Sequence, residues 1–160
     1  NIQLLKVLIE KFHSEINSER QLNVMYSTTY TMRNGSWDVY IKLFIQIKEF
    51  DMDEQCIKIS NNIGIKFADF PLKPTEKFVE NDMKYLVNGL NIIKNTLSKY
   101  IDEKGILIEI NSIELWDVQY FQEEGLTMAI IKLMSEIYGF EVPKIPVHFD
   151  RQLNKYIFEF

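Results

Sequence analysis

The stretch ILIEINSIELWDVQYFQEEGLTMAIIKLMSEIYGF, residues 106–140, reads as a strand, an acidic aromatic turn and a helix. In the helix, expected over 123–138, Leu126, Ala129, Ile130, Leu133, Met134 and Ile137 recur at the three- and four-residue spacing of one helical face. Met128, Ile131 and Tyr138 widen the stripe and leave Thr127, Lys132, Ser135 and Glu136 for water. A helix so apolar is a central packing element. Glu123 and Glu124 stand in its first turn, where carboxylates meet the positive end of the macrodipole, and Gly139 followed by Pro143 ends it. In the strand, Ile106, Ile108 and Ile110 alternate, whereas Ile113 and Leu115 fall on the other parity. That phase change predicts a β-bulge near Asn111-Ser112 or a strand that switches faces.

Working outward, a second helix is expected over 75–101, with Thr75 as N-cap and Val79, Met83, Leu86, Val87, Leu90, Ile93, Leu97 and Tyr100 as its buried stripe. Gly89 weakens it by about 1 kcal/mol relative to alanine, unless close contact with another helix requires the small residue. Further upstream, Leu22, Val24, Tyr26, Thr28, Tyr30 and Met32 alternate, and so do Trp37, Val39, Ile41, Leu43, Ile45 and Ile47. Asn34-Gly35 lies between them, a dipeptide favoured in type I′ turns. Folding there predicts a hairpin pairing Met32 with Trp37, Tyr30 with Val39 and Tyr26 with Leu43. Its other face, with Asp38, Tyr40, Lys42 and Phe44, is mixed and wet. Residues 56–60 and 63–67 read as two short strands around Asn61-Asn62, or as one longer bent strand broken at Gly64. Residues 2–16 read as a short amphipathic helix with Ile2, Leu5, Leu8, Ile9, Phe12 and Ile16 on one face. After Pro146, Val147 and Phe149, then Tyr156, Phe158 and Phe160, predict a terminal hairpin.

The expected architecture is one α+β domain over residues 1–160. It has a mostly antiparallel sheet of about five to seven strands, two long helices packed on one face and a short N-terminal helix. An apolar content of 46% with 26% charged residues is that of a globular chain. The net charge of −5 argues against nucleic acid as the direct ligand. Its distribution is uneven: residues 1–100 carry 13 basic and 12 acidic residues, residues 101–160 carry 5 and 11. One cysteine, Cys56, excludes an intramolecular disulfide framework and fits a cytoplasmic location. The first residues do not read as a signal peptide, and no run is long enough to span a membrane.

Phosphate-binding glycine loops, nucleophile elbows and paired-histidine or paired-cysteine metal motifs are missing from the sequence. His13 and His148 are isolated on separate elements and read as surface residues, and 51–54 reads as a solvated turn instead of a calcium loop. Cofactors are therefore not expected. The informative stretch is ELWDVQYFQEE, in which Trp116, Tyr120 and Phe121 alternate with Glu114, Asp117, Glu123 and Glu124. The plain reading makes the aromatics core anchors and the acids helix caps. The sharper one makes Glu114, Trp116, Asp117, Tyr120, Glu123 and Glu124 a protein-binding edge, with aromatic anchors and acids that select a basic partner.

The run WDVQYFQEEGLTMAIIKLMSEIYGF, with the proline-bounded PKIPVHFDRQLNKYIFEF after it, resembles the C-terminal part of small acidic immunity proteins of bacterial polymorphic-toxin and contact-dependent-inhibition systems. The resemblance covers about residues 114–160. It implies a cytoplasmic, non-catalytic protein that neutralises a cognate toxin domain, basic and possibly a nuclease, by stoichiometric binding. Two other classes stand beside it: a small enzyme using the carboxylates of Glu114, Asp117, Glu123 and Glu124, and an adaptor or structural interaction module.

Overall fold

A computed structural model of the chain describes residues 2–34, 37–51, 54–71, 81–115 and 121–160, with the backbone alone for 14–21 and 34. Expectations at Gly35, Thr75, Val79, Trp116, Asp117 and Tyr120 lie outside the described residues.

Period-two alternation produces the longest strands. β1 (Met25–Asn34) and β2 (Trp37–Glu49) pair antiparallel, and β2 buries every odd residue from Val39 to Ile47. The register differs from the sequence expectation. The last pair is Asn34 with Trp37, so Tyr30 stands opposite Ile41 and Tyr26 opposite Ile45. The displacement is two residues, and two residues restore the same faces, so the hydrophobic pattern fits both registers equally. Asn34 belongs to the ladder, opposite Trp37.

β3 (Ile57–Ser60) and β4 (Ile63–Phe67) are two short strands, the first of the two expected arrangements, and pair antiparallel; β5 (Ile106–Leu115) lies between β4 and β2. The sheet order is β1-β2-β5-β4-β3. All pairs are antiparallel except β4 with β5. That parallel pair is joined through α2 (Met83–Leu97), as a parallel connection requires. The bulge predicted from the phase change is present. Phe44 pairs with Ser112 and Ile45 with Ile110, so Asn111 is the extra residue, and Ile113 returns to the core side.

α2 and α3 (Glu124–Tyr138) cover one face of the sheet, α3 over β1 and β2 and α2 toward β3. Leu86, Leu90, Ile93 and Leu97 of α2 and Leu126, Ile130 and Leu133 of α3 meet the isoleucines of β2, β4 and β5. The α3 stripe is broader than its sequence indicates, because Thr127 and Ser135 are buried, not solvated. Each hydroxyl meets a carbonyl: Thr127 Oγ1 donates to Tyr85 O at 2.7 Å and Ser135 Oγ to Phe140 O at 2.6 Å. A satisfied hydroxyl is inexpensive to bury. Gly139 ends α3 at φ 78°, a left-handed conformation that favours glycine, and its N–H donates to Ser135 O.

The opposite face is partly open, as expected. Tyr40, Lys42, Phe44 and Gln46 are half-buried there, and Lys48 pairs with the buried Glu109. β6 (Val147–Asp150) and β7 (Lys155–Phe158) make the expected terminal hairpin as a separate two-stranded sheet. The N-terminal helix α1 runs over Ile2–Gln21, five residues beyond its expected end, and its side chains from Ile2 to His13 are all exposed.

Candidate partner-binding end

α2 and α3 run in the same direction, since Tyr85 and Gly89 both face Thr127, and Gly89 also faces Ile130. A Cβ at Gly89 would collide with Ile130 Cγ2 and lie 2.8 Å from Thr127 O. The missing side chain therefore sets how closely the helices approach, which is the role the sequence left open for this glycine. At Gly125 a Cβ would stand 2.6 Å from Ile41 Cδ1, the movable end of a side chain and not backbone.

Two parallel helices bring two positive dipole ends together, beside the C-terminal end of β5. Asp82 occupies the N-cap of α2, Glu123 that of α3, and Glu124 the first turn of α3. Neither cap side chain closes a capping hydrogen bond. Burial, and then the charge of Glu123, push the Asp82 carboxyl above its ordinary range, with Lys84 opposing. Burial raises Tyr85, and Glu123, Glu124 and Asp82 raise it further. The three carboxylates thus form one negatively charged set around a phenol.

The terminal hairpin is docked against this end. Gln122 is buried, and its amide behaves like a length of strand: Nε2 donates to Tyr156 O at 2.7 Å, and Oε1 accepts from Tyr156 N at 2.9 Å. Gln122 Nε2 also donates to Glu124 Oε2. The Tyr156 hydroxyl donates to Trp37 O at 2.7 Å, tying the hairpin to the start of β2. Burial lifts the Tyr156 phenol, with Asp38 adding to the shift. The neighbouring Tyr30 is pushed up to about 12, by burial first and then by Tyr156.

Of the expected edge, Glu123 and Glu124 come together here, and Glu114 does not join them. Glu114 pairs in register with Lys42 on the face of the sheet away from the helices, because the bulge restores alternation beyond Asn111. Trp116, Asp117 and Tyr120 lie outside the described residues. Asp82, Tyr85 and Gln122 were missed by sequence reasoning. Asp82 sits 41 positions before Glu123, and no local pattern signals that two helix starts are adjacent. Among the described residues, no three His, Cys, Asp or Glu side chains converge as a metal site, and no helix is long and apolar enough to cross a membrane. Compared with protein-family models and with curated protein sequences, the chain matches none.

Proposed function

We propose that the protein is a non-catalytic binding protein that neutralises a basic bacterial toxin domain by stoichiometric binding, as the resemblance over residues 114–160 implies. The observation that carries this reading is the gathering of Asp82, Glu123 and Glu124 around Tyr85 at the joined helix starts. Like charges held together on rigid helices favour a cationic partner, which relieves their repulsion and is steered toward them. The phenol offers area for an anchor of the kind that dominates interfaces. Binding is a cytoplasmic task in this reading and draws on no cofactor.

The enzyme alternative draws on Glu114, Asp117, Glu123 and Glu124 as one cluster. A general acid and its partner must reach one substrate, and Glu114 stands on the other side of the sheet from Glu123 and Glu124. Binding is therefore the better-supported class.

The test is affinity capture from the native host with the full chain as bait, followed by mass spectrometry and native stoichiometry. The expected result is one basic polypeptide at equimolar ratio. Its association rate should fall in Glu123→Lys/Glu124→Lys and in added salt, and its toxicity on expression should be suppressed by the bait. A captured protein indifferent to salt and to both reversals, or one whose toxicity the bait leaves intact, would overturn the proposal.

A further inference from the structure

The terminal hairpin is held to the domain by few groups. β6 and β7 form their own two-stranded sheet, and neither packs broadly on any other described element. Of residues 147–158 only Tyr156 is buried, while Phe149 and Phe158 reach the core in part. The chain arrives through 141–146, which has no regular structure and leaves Glu141, Lys144 and Pro146 exposed. A two-stranded hairpin is marginal in isolation and depends on what it packs against. Segments with few buried contacts open as units, at less cost than global unfolding.

The polar ties that hold it converge on one side chain. Gln122 is buried, and its Oε1 accepts from Tyr156 N at 2.9 Å. Its Nε2 donates both to Tyr156 O at 2.7 Å and to Glu124 Oε2 at 3.1 Å. An amide nitrogen carries two N–H groups, so both are spent. All three partners demand the same orientation of the amide. Turned by half a rotation, it would set its NH2 against the Tyr156 N–H and its oxygen against the Glu124 carboxylate. Glu124 therefore helps to fix the orientation that binds the hairpin, from a place on α3. The Tyr156 hydroxyl supplies a further tie, to Trp37 O.

We propose that the terminal hairpin is a strap over this end of the fold, latched by Gln122, and that the latch ties its closure to Glu124. A group that draws Glu124 Oε2 away from Gln122 leaves a buried N–H unpaired and loosens the strap. By linkage, a strap held closed keeps that oxygen from such a group. When the strap lifts, Tyr156 leaves Trp37 O and the neighbouring Tyr30, which bares aromatic surface beside the acids. The latch is a property of the free chain. Its consequence for recognition rests on the partner-binding reading above: a cationic partner that engages Glu124 opens the hairpin.

Native-state hydrogen exchange of the full chain tests strap and latch without any partner. In the parent, amides of 147–150 and 155–158 should exchange at least about tenfold faster than those of 41–47 in β2. Equal rates in the two segments overturn the strap. Glu124→Ala should accelerate the hairpin amides by about threefold or more and leave 41–47 unchanged. Glu124→Gln, which keeps an acceptor oxygen, should restore most of the parent rate. Glu123→Ala is the control, since Glu123 carries the same charge at the same helix start and closes no capping hydrogen bond. Equal acceleration in Glu123→Ala and Glu124→Ala assigns the effect to the helix dipole and overturns the latch. A hairpin indifferent to Glu124→Ala overturns it as well. In a Gln122→Ala background, Glu124→Ala should change the hairpin no further, and an additive response overturns the coupling. With a captured partner bound, hairpin exchange that is unchanged or slower overturns the linkage to binding, while the partner-binding reading stands or falls on its own capture test.

Discussion

Gly89→Ala sets two physical effects against each other, and the structure decides which wins. Helix propensity favours alanine by about 1 kcal/mol in a helix interior. The new methyl, however, collides with Ile130 Cγ2 and comes within 2.8 Å of Thr127 O, a backbone atom that cannot rotate away. Overpacking of this kind costs about 1–3 kcal/mol, and the upper part of that range applies where backbone must shift. Separating the helices also stretches the Thr127 Oγ1 to Tyr85 O hydrogen bond, worth about 0.5–1.5 kcal/mol. The net expectation is a loss of about 1–3 kcal/mol. With a slope near 2 kcal/mol per molar urea, the midpoint falls by about 1 M. Gly139→Ala is the control: nothing lies within 4 Å of its Cβ position, so only the left-handed backbone costs, about 1–2 kcal/mol. Equilibrium urea unfolding followed by circular dichroism measures both. A Gly89→Ala protein as stable as the parent, or more stable, would refute the claim that this glycine sets the helix spacing.

Three further outcomes are expected. Asp82→Asn should stabilise the protein more at pH 7 than at pH 3: the folded carboxyl binds its proton more tightly than the unfolded one, so parent stability falls as pH rises through the carboxylate range and upward; thermal melts of both proteins at the two pH values check this, and a difference of opposite sign refutes it. Lys48→Met should cost about 1–3 kcal/mol in urea unfolding, because the Glu109 carboxylate remains buried without its charged partner. Gln122→Leu should release the terminal hairpin, leaving the Tyr156 N–H and carbonyl unpaired; hydrogen exchange over 147–158 should accelerate by about tenfold or more while β2 and β5 stay protected.

Local pattern was sufficient wherever the physics is local. Alternation in 37–47 defined a strand with one buried face, the three- and four-residue spacing in 124–138 defined a buried helix, and the parity change after Ile110 located a bulge. Each follows from backbone geometry acting on neighbours in the chain. Where two local solutions were degenerate, pattern could not choose: a two-residue displacement of β1 against β2 leaves every face unchanged, and only the pairing itself selects Asn34 with Trp37. Burial of Thr127 and Ser135 likewise depended on carbonyls of Tyr85 and Phe140 that only the fold supplies. The acidic end was half legible: Glu123 and Glu124 are adjacent in sequence, but Asp82 and Tyr85 join them only because a glycine on α2 lets two helices approach with their starts side by side. In α1 spacing indicated a helix with an apolar stripe, whereas the tertiary structure alone determined that Ile2, Leu5, Leu8, Ile9 and Phe12 stand exposed on it, since a stripe encodes a need for burial without naming the surface that meets it.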